Sequence, residues 1–241
     1  RGSSDAHMNL VCARNFIDLI IPRGGHGLIN FVRRNALIPV IETGAGVCHI
    51  YVDENADMSM AGKIIYNAKV SSPAVCNALD TLLAHKKITH RLAEELVPLL
   101  KPKQVEILAD RNNYQIWQKL QYPFLKRVAK KDFDREFLSL KMAVKTVGTI
   151  DEALEHINKH STKHSEAIIT ENREKARKFL ETVDAACVYH NTSIRFTDGS
   201  QFGLGGEIGI STQKLHARGP MGIKEMTTYK WVIEGAGQVR G

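Results

Sequence analysis

The feature that most limits this chain is an alternation of two periodicities in its second half. "SLKMAVKTV" (139–147) reads as a strand and "TIDEALEHINKH" (149–160) as a capped helix; "HSEAIITE" is again a strand, "NREKARKFLETV" a helix and "AACVYHN" a strand. Strand and helix in strict succession require crossover connections, so the pattern predicts an α/β architecture with a largely parallel sheet. The first half is consistent with this. "CHIYVD" and "IPVIET" read as short strands around the turn "GAGV", as does the apolar run Phe16 to Ile21. "ADMSMAGKIIYNAKV" places Met58, Ala61, Ile64 and Ile65 on one helical face, "HRLAEELVPLL" is a further helix, and "QVEILA" a strand. Near the end, "YKWVIEGAGQVR" reads as a hairpin with Trp231 to Ile233 in its first strand. An open edge of that kind calls for a partner sheet, which suggests association between copies of the chain.

Two stretches bear on chemistry. "PRGGHG" (22–27) joins a strand-like run to a helical one, and backbone amides at such a turn can seat a phosphate. It does not match G-x-G-x-x-G, so a tight turn and a cofactor loop are both open readings. In "SSPAVCNALDTLLAH" (71–85), Ser72 is a candidate N-cap and Pro73 a candidate first helical residue. A helix starting there would hold Cys76 near the positive end of its dipole and favour the thiolate. A buried packing cysteine fits that stretch equally well. Glu42, ending an apolar run beside flexible glycines, is either a loop charge or an active-site carboxylate. "RFTDGSQFGLGGEIGIS" holds five glycines, as a tight backbone path or a crossing between domains.

Composition narrows the class. Hydrophobic residues make up 43% and charged residues 24%, the balance of an ordinary soluble globular protein. No run approaches the ~20 apolar residues of a membrane span. "RGSSDAHM" lacks the apolar core of a signal peptide and reads as a cloning remnant, so residues 1–8 are set aside. The four cysteines, Cys12, Cys48, Cys76 and Cys187, are scattered without C-x-x-C or metal-ligand spacing, which points to free thiols, a reducing (cytoplasmic) compartment and no metal. The net charge of +7 is dispersed among interleaved acids, a solvated basic surface with anionic small molecules as the next reading and nucleic acid a distant one. No motif places His85, His156 or His216 beside Cys76, so a thiol protease is a poor fit.

The segments "IDLIIPRGG", "PVIETGAGVCHIYVDENAD", "VCNALDTLLAH", "DEALEHINKHSTKHSEAIIT" and "RFTDGSQFGLGGEIGISTQKLHARGPMG", with "TTYKWVI", resemble the gamma-glutamyl phosphate reductase family of the aldehyde dehydrogenase superfamily. The resemblance runs from Asn15 to Arg240, and its last long motif is the most specific. It implies an aldehyde-dehydrogenase-like α/β fold, with the catalytic domain, part of a Rossmann-like cofactor domain and a C-terminal hairpin. The implied divisions are the end of the cofactor domain at 9–71, the catalytic domain at 72–206, and a C-terminal return and oligomerisation hairpin at 207–241.

The resemblance also implies an activity: NADPH-dependent reduction of L-glutamyl 5-phosphate to the 5-semialdehyde, in proline biosynthesis. Cys76 would be the nucleophile, carried through a thioester, with its backbone N–H as half of an oxyanion hole. Glu42 aligns with the general-base glutamate of hydrolytic relatives, and positioning or proton handling suits it better in a reductase. Gly24, Gly25 and Glu136 would meet the cofactor. Asn191, Ser193 and Arg195 would line the substrate pocket, and Lys214, His216 and Arg218 form a second anion-binding candidate. Implied partners are glutamate 5-kinase upstream and further copies of the same chain. His26, Val47 and Ile194 stand where the family often has Lys, Asn and Thr, so local binding details should differ. Members are nearly twice this length, so the chain would be a C-terminal portion, inactive by itself. The alternatives are an assembly module of a bifunctional kinase–reductase, and a hydrolytic aldehyde dehydrogenase using Glu42.

Overall fold

The computed structural model describes residues 2–215 and 217–241. Its first helices are α1 (Gly2–Val11), which takes in most of the residues set aside as a remnant, and α2 (His26–Asn35). The parallel unit begins with β1 (Cys48–Val52), α3 (Met58–Val70), β2 (Leu79–His85), α4 (Thr89–Leu100), β3 (Glu106–Ala109) and α5 (Arg111–Lys119). It continues through β4 (Leu125–Arg127), β5 (Lys141–Val147), α6 (Ile150–His160), β6 (Ser165–Ile169), α7 (Arg173–Thr182) and β7 (Cys187–His190). These seven strands form one sheet in the order β4-β3-β5-β2-β1-β6-β7, and every pairing is parallel.

Helices cover both faces, as a fully parallel sheet requires. Ile50 and Val52 of β1 turn toward Ile65, Leu92, Leu96 and Trp117 on the α3–α5 face. Tyr51, between them, turns toward Leu154, Ile157 and Phe179 under α6 and α7. The helix starts are set locally: Asp57, Asp110, Thr149 and Asn172 each accept the backbone N–H three residues on, at α3, α5, α6 and α7.

A smaller antiparallel pair, β8 (Gly209–Ser211) with β9 (Gly219–Met221), lies beside the sheet. An isolated bridge from Thr43 to Ser211 ties an early loop to it, and another joins Ile20 to Val40.

Three expectations are corrected. No helix begins at Ser72: 71–78 is a series of turns, and "LDTLLAH" is β2, a strand buried along its whole length. The runs at 16–21 and 38–43 supply single bridges rather than strands. No hairpin forms at the C-terminus; from Thr227 onward the chain has no regular structure and leaves Tyr229, Trp231, Val232 and Ile233 exposed.

Candidate active site

Gly46, Cys76 and Glu136 lie shortly before β1, β2 and β5, so the sheet gathers them at the amino ends of its strands. The "GAG" turn sits directly on the Cys76 backbone. A Cβ at Gly46 would lie 1.6 Å from the Cys76 carbonyl oxygen, so only glycine fits there. That carbonyl accepts the buried Cys48 thiol at 3.2 Å. The Gly46 N–H in turn donates to Glu136 Oε1 at 2.8 Å.

Beside this junction opens a cavity of about 810 Å³, whose walls include Arg23, Gly24, Gly25, Cys76, Glu136 and Arg195. Gly25 is the N-cap of α2, and a Cβ added to it would meet no atom, so this wall is open to a ligand. Five of the eight site residues expected from sequence therefore line one cavity. Cys76 is half-buried, and its thiol is pushed up by burial, then by the charges of Glu136 and Glu207, with Arg195 opposing. This reverses the low thiol pKa expected from a helix start at Ser72, because the helix is not there.

Arg195 joins this cavity to its neighbour. Its Nη1 donates to Asn77 Oδ1, one residue past the nucleophile candidate, and its Nε to Ser71 Oγ at 3.3 Å. Asn77 is locked from the other side as its Nδ2 donates to the Thr197 carbonyl at 2.8 Å. The neighbouring cavity, about 920 Å³, is lined by α3 residues such as Lys63 and Asn67 and by Asn191, Ser193 and Arg195.

Asn191 and Ser193 also carry structural duties there. Asn191 adopts a left-handed conformation (φ 54°), and its amide clamps Thr170 with one bond in each direction, at 2.9 and 3.0 Å. Ser193 is buried and caps the short 3-10 turn Ile194–Phe196.

Glu42 is brought to neither cavity. Its carboxylate lies 3.9 Å from Arg33 Nε of α2, and its N–H donates to Gln213. Lys214 and Arg218 share Asp184 with Lys163, away from the cavity, and His216 lies outside the described residues. Sequence reasoning missed Gly46, Asn77 and Arg23. Arg23 had a usable signal, since it directly precedes the flagged glycine pair; Asn77 had only its place beside Cys76.

Known proteins resemble this chain along nearly its whole length. The model of the aldehyde dehydrogenase family matches residues 141–232. A gamma-glutamyl phosphate reductase of Chlorobium limicola is 59% identical over 228 residues, covering 93% of this chain and 54% of its own length. One from Bacteroides fragilis is 54% identical, covering 98% and 57%. The crystal structure of the Thermotoga maritima gamma-glutamyl phosphate reductase superposes with a TM-score of 0.91 at 48% identity, over 98% of this chain and 56% of that one. The chain thus spans about half the length of the relatives it matches. Over the half of their length that it spans, the chain is similar in sequence and fold to gamma-glutamyl phosphate reductases, and its residues 141–232 match the aldehyde dehydrogenase family.

Proposed function

We propose that the chain is the catalytic portion of a reductase that converts L-glutamyl 5-phosphate to glutamate 5-semialdehyde and phosphate through a thioester on Cys76. The observation that carries this reading is the placement of Cys76, Gly24, Gly25, Glu136 and Arg195 around one cavity. The Cys76 sulfur, as thiolate, attacks the acyl carbon, forming a C–S bond as the C–O bond to phosphate breaks and phosphate departs with its electron pair. Arg195, fixed by Asn77 and Ser71, stands where it can bind phosphate or carboxylate oxygens. Hydride addition to the thioester carbon and cleavage of the C–S bond then give the aldehyde and return the thiolate.

The residues present fit the nicotinamide end of a cofactor: the open face at Gly25, the start of α2 and the Glu136 carboxylate share the wall facing Cys76. A reduced nicotinamide, NADPH in our reading, supplies the hydride when bound. Gly24 and Gly25 let it approach the backbone closely, and Glu136 suits a ribose hydroxyl. The 241 residues alone are proposed to be inactive, to work with further copies of the chain, and to follow a kinase that makes the acyl phosphate from glutamate. No helix among the described residues is long and apolar enough to cross a membrane; we place the enzyme in the cytoplasm.

The test is made in a full-length protein carrying this chain, assayed for phosphate-dependent reduction of NADP⁺ by glutamate 5-semialdehyde. Cys76→Ser is expected to lower turnover by at least ~10³-fold, as loss of a covalent nucleophile does. Unchanged turnover in that variant overturns the reading. Oxidation that needs no phosphate would instead support the hydrolytic alternative, which the orientation of Glu42 toward Arg33 disfavours.

A further inference from the structure

Lys69 and Asp80 are a lysine and an aspartate with side chains 0% and 2% exposed, their Nζ and Oδ1 3.9 Å apart. Burying two charges is costly, and well-packed apolar residues often serve stability as well. A reason to keep them lies in what else they hold. Asp80 Oδ1 accepts the Phe137 N–H at 3.0 Å, and Lys69 Nζ donates to the Lys141 carbonyl at 2.8 Å. The pair therefore grips both ends of 137–141, the segment that runs from Glu136 into β5. Lys69 lies in the last turn of α3 and Asp80 is the second residue of β2, so the grip is anchored on the two elements flanking Cys76. Glu136, so held, takes the Gly46 N–H, and its charge is near enough to the Cys76 thiol to oppose ionisation.

We propose that Lys69 and Asp80 are positioning residues, a buried ion pair that pins 137–141 and thereby sets Glu136 against Gly46 and Cys76. The proposal rests on the reading of Cys76 as nucleophile and Glu136 as part of the cofactor wall. The titratable groups facing the pair are Glu136, near Asp80, and the Cys48 thiol, near both and kept protonated by burial and by the charges of Glu166 and Asp80. Asp80 is not among the groups that principally shift Cys76, so its influence on the thiol is routed through Glu136.

That routing makes the proposal measurable in the chain itself, by following alkylation of Cys76 with iodoacetamide against pH and mapping the peptide by mass spectrometry. Glu136→Gln removes the repulsion directly and is expected to speed alkylation at pH 8 by roughly 2- to 5-fold. Asp80→Asn and Lys69→Met are each expected to reproduce most of that gain and to lose hydrogen-exchange protection at the Phe137 and Gly46 amides. Combined with Glu136→Gln, Asp80→Asn should add nothing, because the two act in series. A wild-type alkylation profile in folded Asp80→Asn, or fully additive effects in the double variant, overturns the proposal. Should a single variant fail to fold, Lys69→Met with Asp80→Leu removes both charges together and should show the same gain; a folded double variant with the wild-type profile is equally fatal. Alkylation needs neither substrate nor cofactor, so this result stands apart from the Cys76→Ser turnover assay.

Discussion

Gly46→Ala is the sharpest single perturbation of this site. The added methyl would sit 1.6 Å from the Cys76 oxygen and 2.5 Å from its carbonyl carbon, whereas real Cβ atoms essentially never come closer than 3.0 Å. The two backbones must therefore separate by about 1.4 Å, and no flexible side chain is there to absorb the movement. Separation stretches the Cys48 thiol contact to Cys76 and the Gly46 bond to Glu136. Overpacking of this kind costs about 2–3 kcal/mol. For a chain of this length that is a melting point lower by roughly 5–10 °C. The chemical penalty is larger, since misplacing a reacting group by ~1 Å costs about 10²-fold in rate. Gly44→Ala is the control: its Cβ would approach only the Thr212 side chain, at 3.2 Å and not a backbone atom, and should cost less than about 1 kcal/mol. Thermal melts by circular dichroism and Cys76 alkylation kinetics read both variants. If Gly46→Ala melts within a degree of the parent and its thiol reacts at the parental rate, the steric reasoning is refuted.

Burial and the charges of Glu136 and Glu207 push the Cys76 thiol up, so its alkylation should be slow near neutrality and rise only at alkaline pH. A midpoint at or below that of the same peptide unfolded in urea would contradict this. Asp53 is fully buried in side chain: burial alone would raise its carboxyl, but Lys175, the Asn55 N–H and the Tyr51 and Thr170 hydroxyls hold it below the ordinary range. A depressed acid stabilises the fold above the ordinary aspartate pKa of ~3.9, and that contribution is lost as pH falls below it. Asp53→Asn should cost roughly 2 kcal/mol at pH 7 and flatten the acid limb of stability against pH; a parental acid limb in denaturant titrations would refute that assignment.

The legible part of the fold is the run from β5 to β7, where Thr149 and Asn172 cap their helices and short loops leave little choice of topology. β2 was misread for an identifiable reason. Its seven residues are buried on both faces, so polar alternation is missing, and Leu79, Leu82 and Leu83 fit a helical spacing as well. Ser72 and Pro73 ahead of it mimic a helix start. The C-terminal hairpin failed because local turn chemistry cannot pair strands that find no neighbour, and isolated hairpins are marginal in water.

At the site, Cys76 and the glycine pair were readable as local motifs. The direction of Glu42 was not, since Arg33, on the preceding helix, decides it. Arg195 and Asn77 are 118 residues apart, and Lys69 with Asp80 look in sequence like ordinary surface charges.

The placement of the cavity at the amino ends of the strands has a consequence for its salt sensitivity. In a βαβ unit the helices run back against the strands, so the helix ends nearest this edge are C-terminal, as at Val70 of α3 and His160 of α6. Their free carbonyls carry partial negative charge and repel an anionic substrate. Attraction for phosphate or carboxylate is left to the start of α2 at Gly25, which lies outside the βαβ units, and to the guanidinium groups of Arg23, Arg135 and Arg195 on the cavity wall. Arg195 answers both demands, resting on Ser71 at the end of α3 while reaching Asn77 beside the thiol. Side-chain cations at an open cleft are screened over a Debye length of about 8 Å at physiological ionic strength, so capture of the anion should weaken steeply as salt is raised.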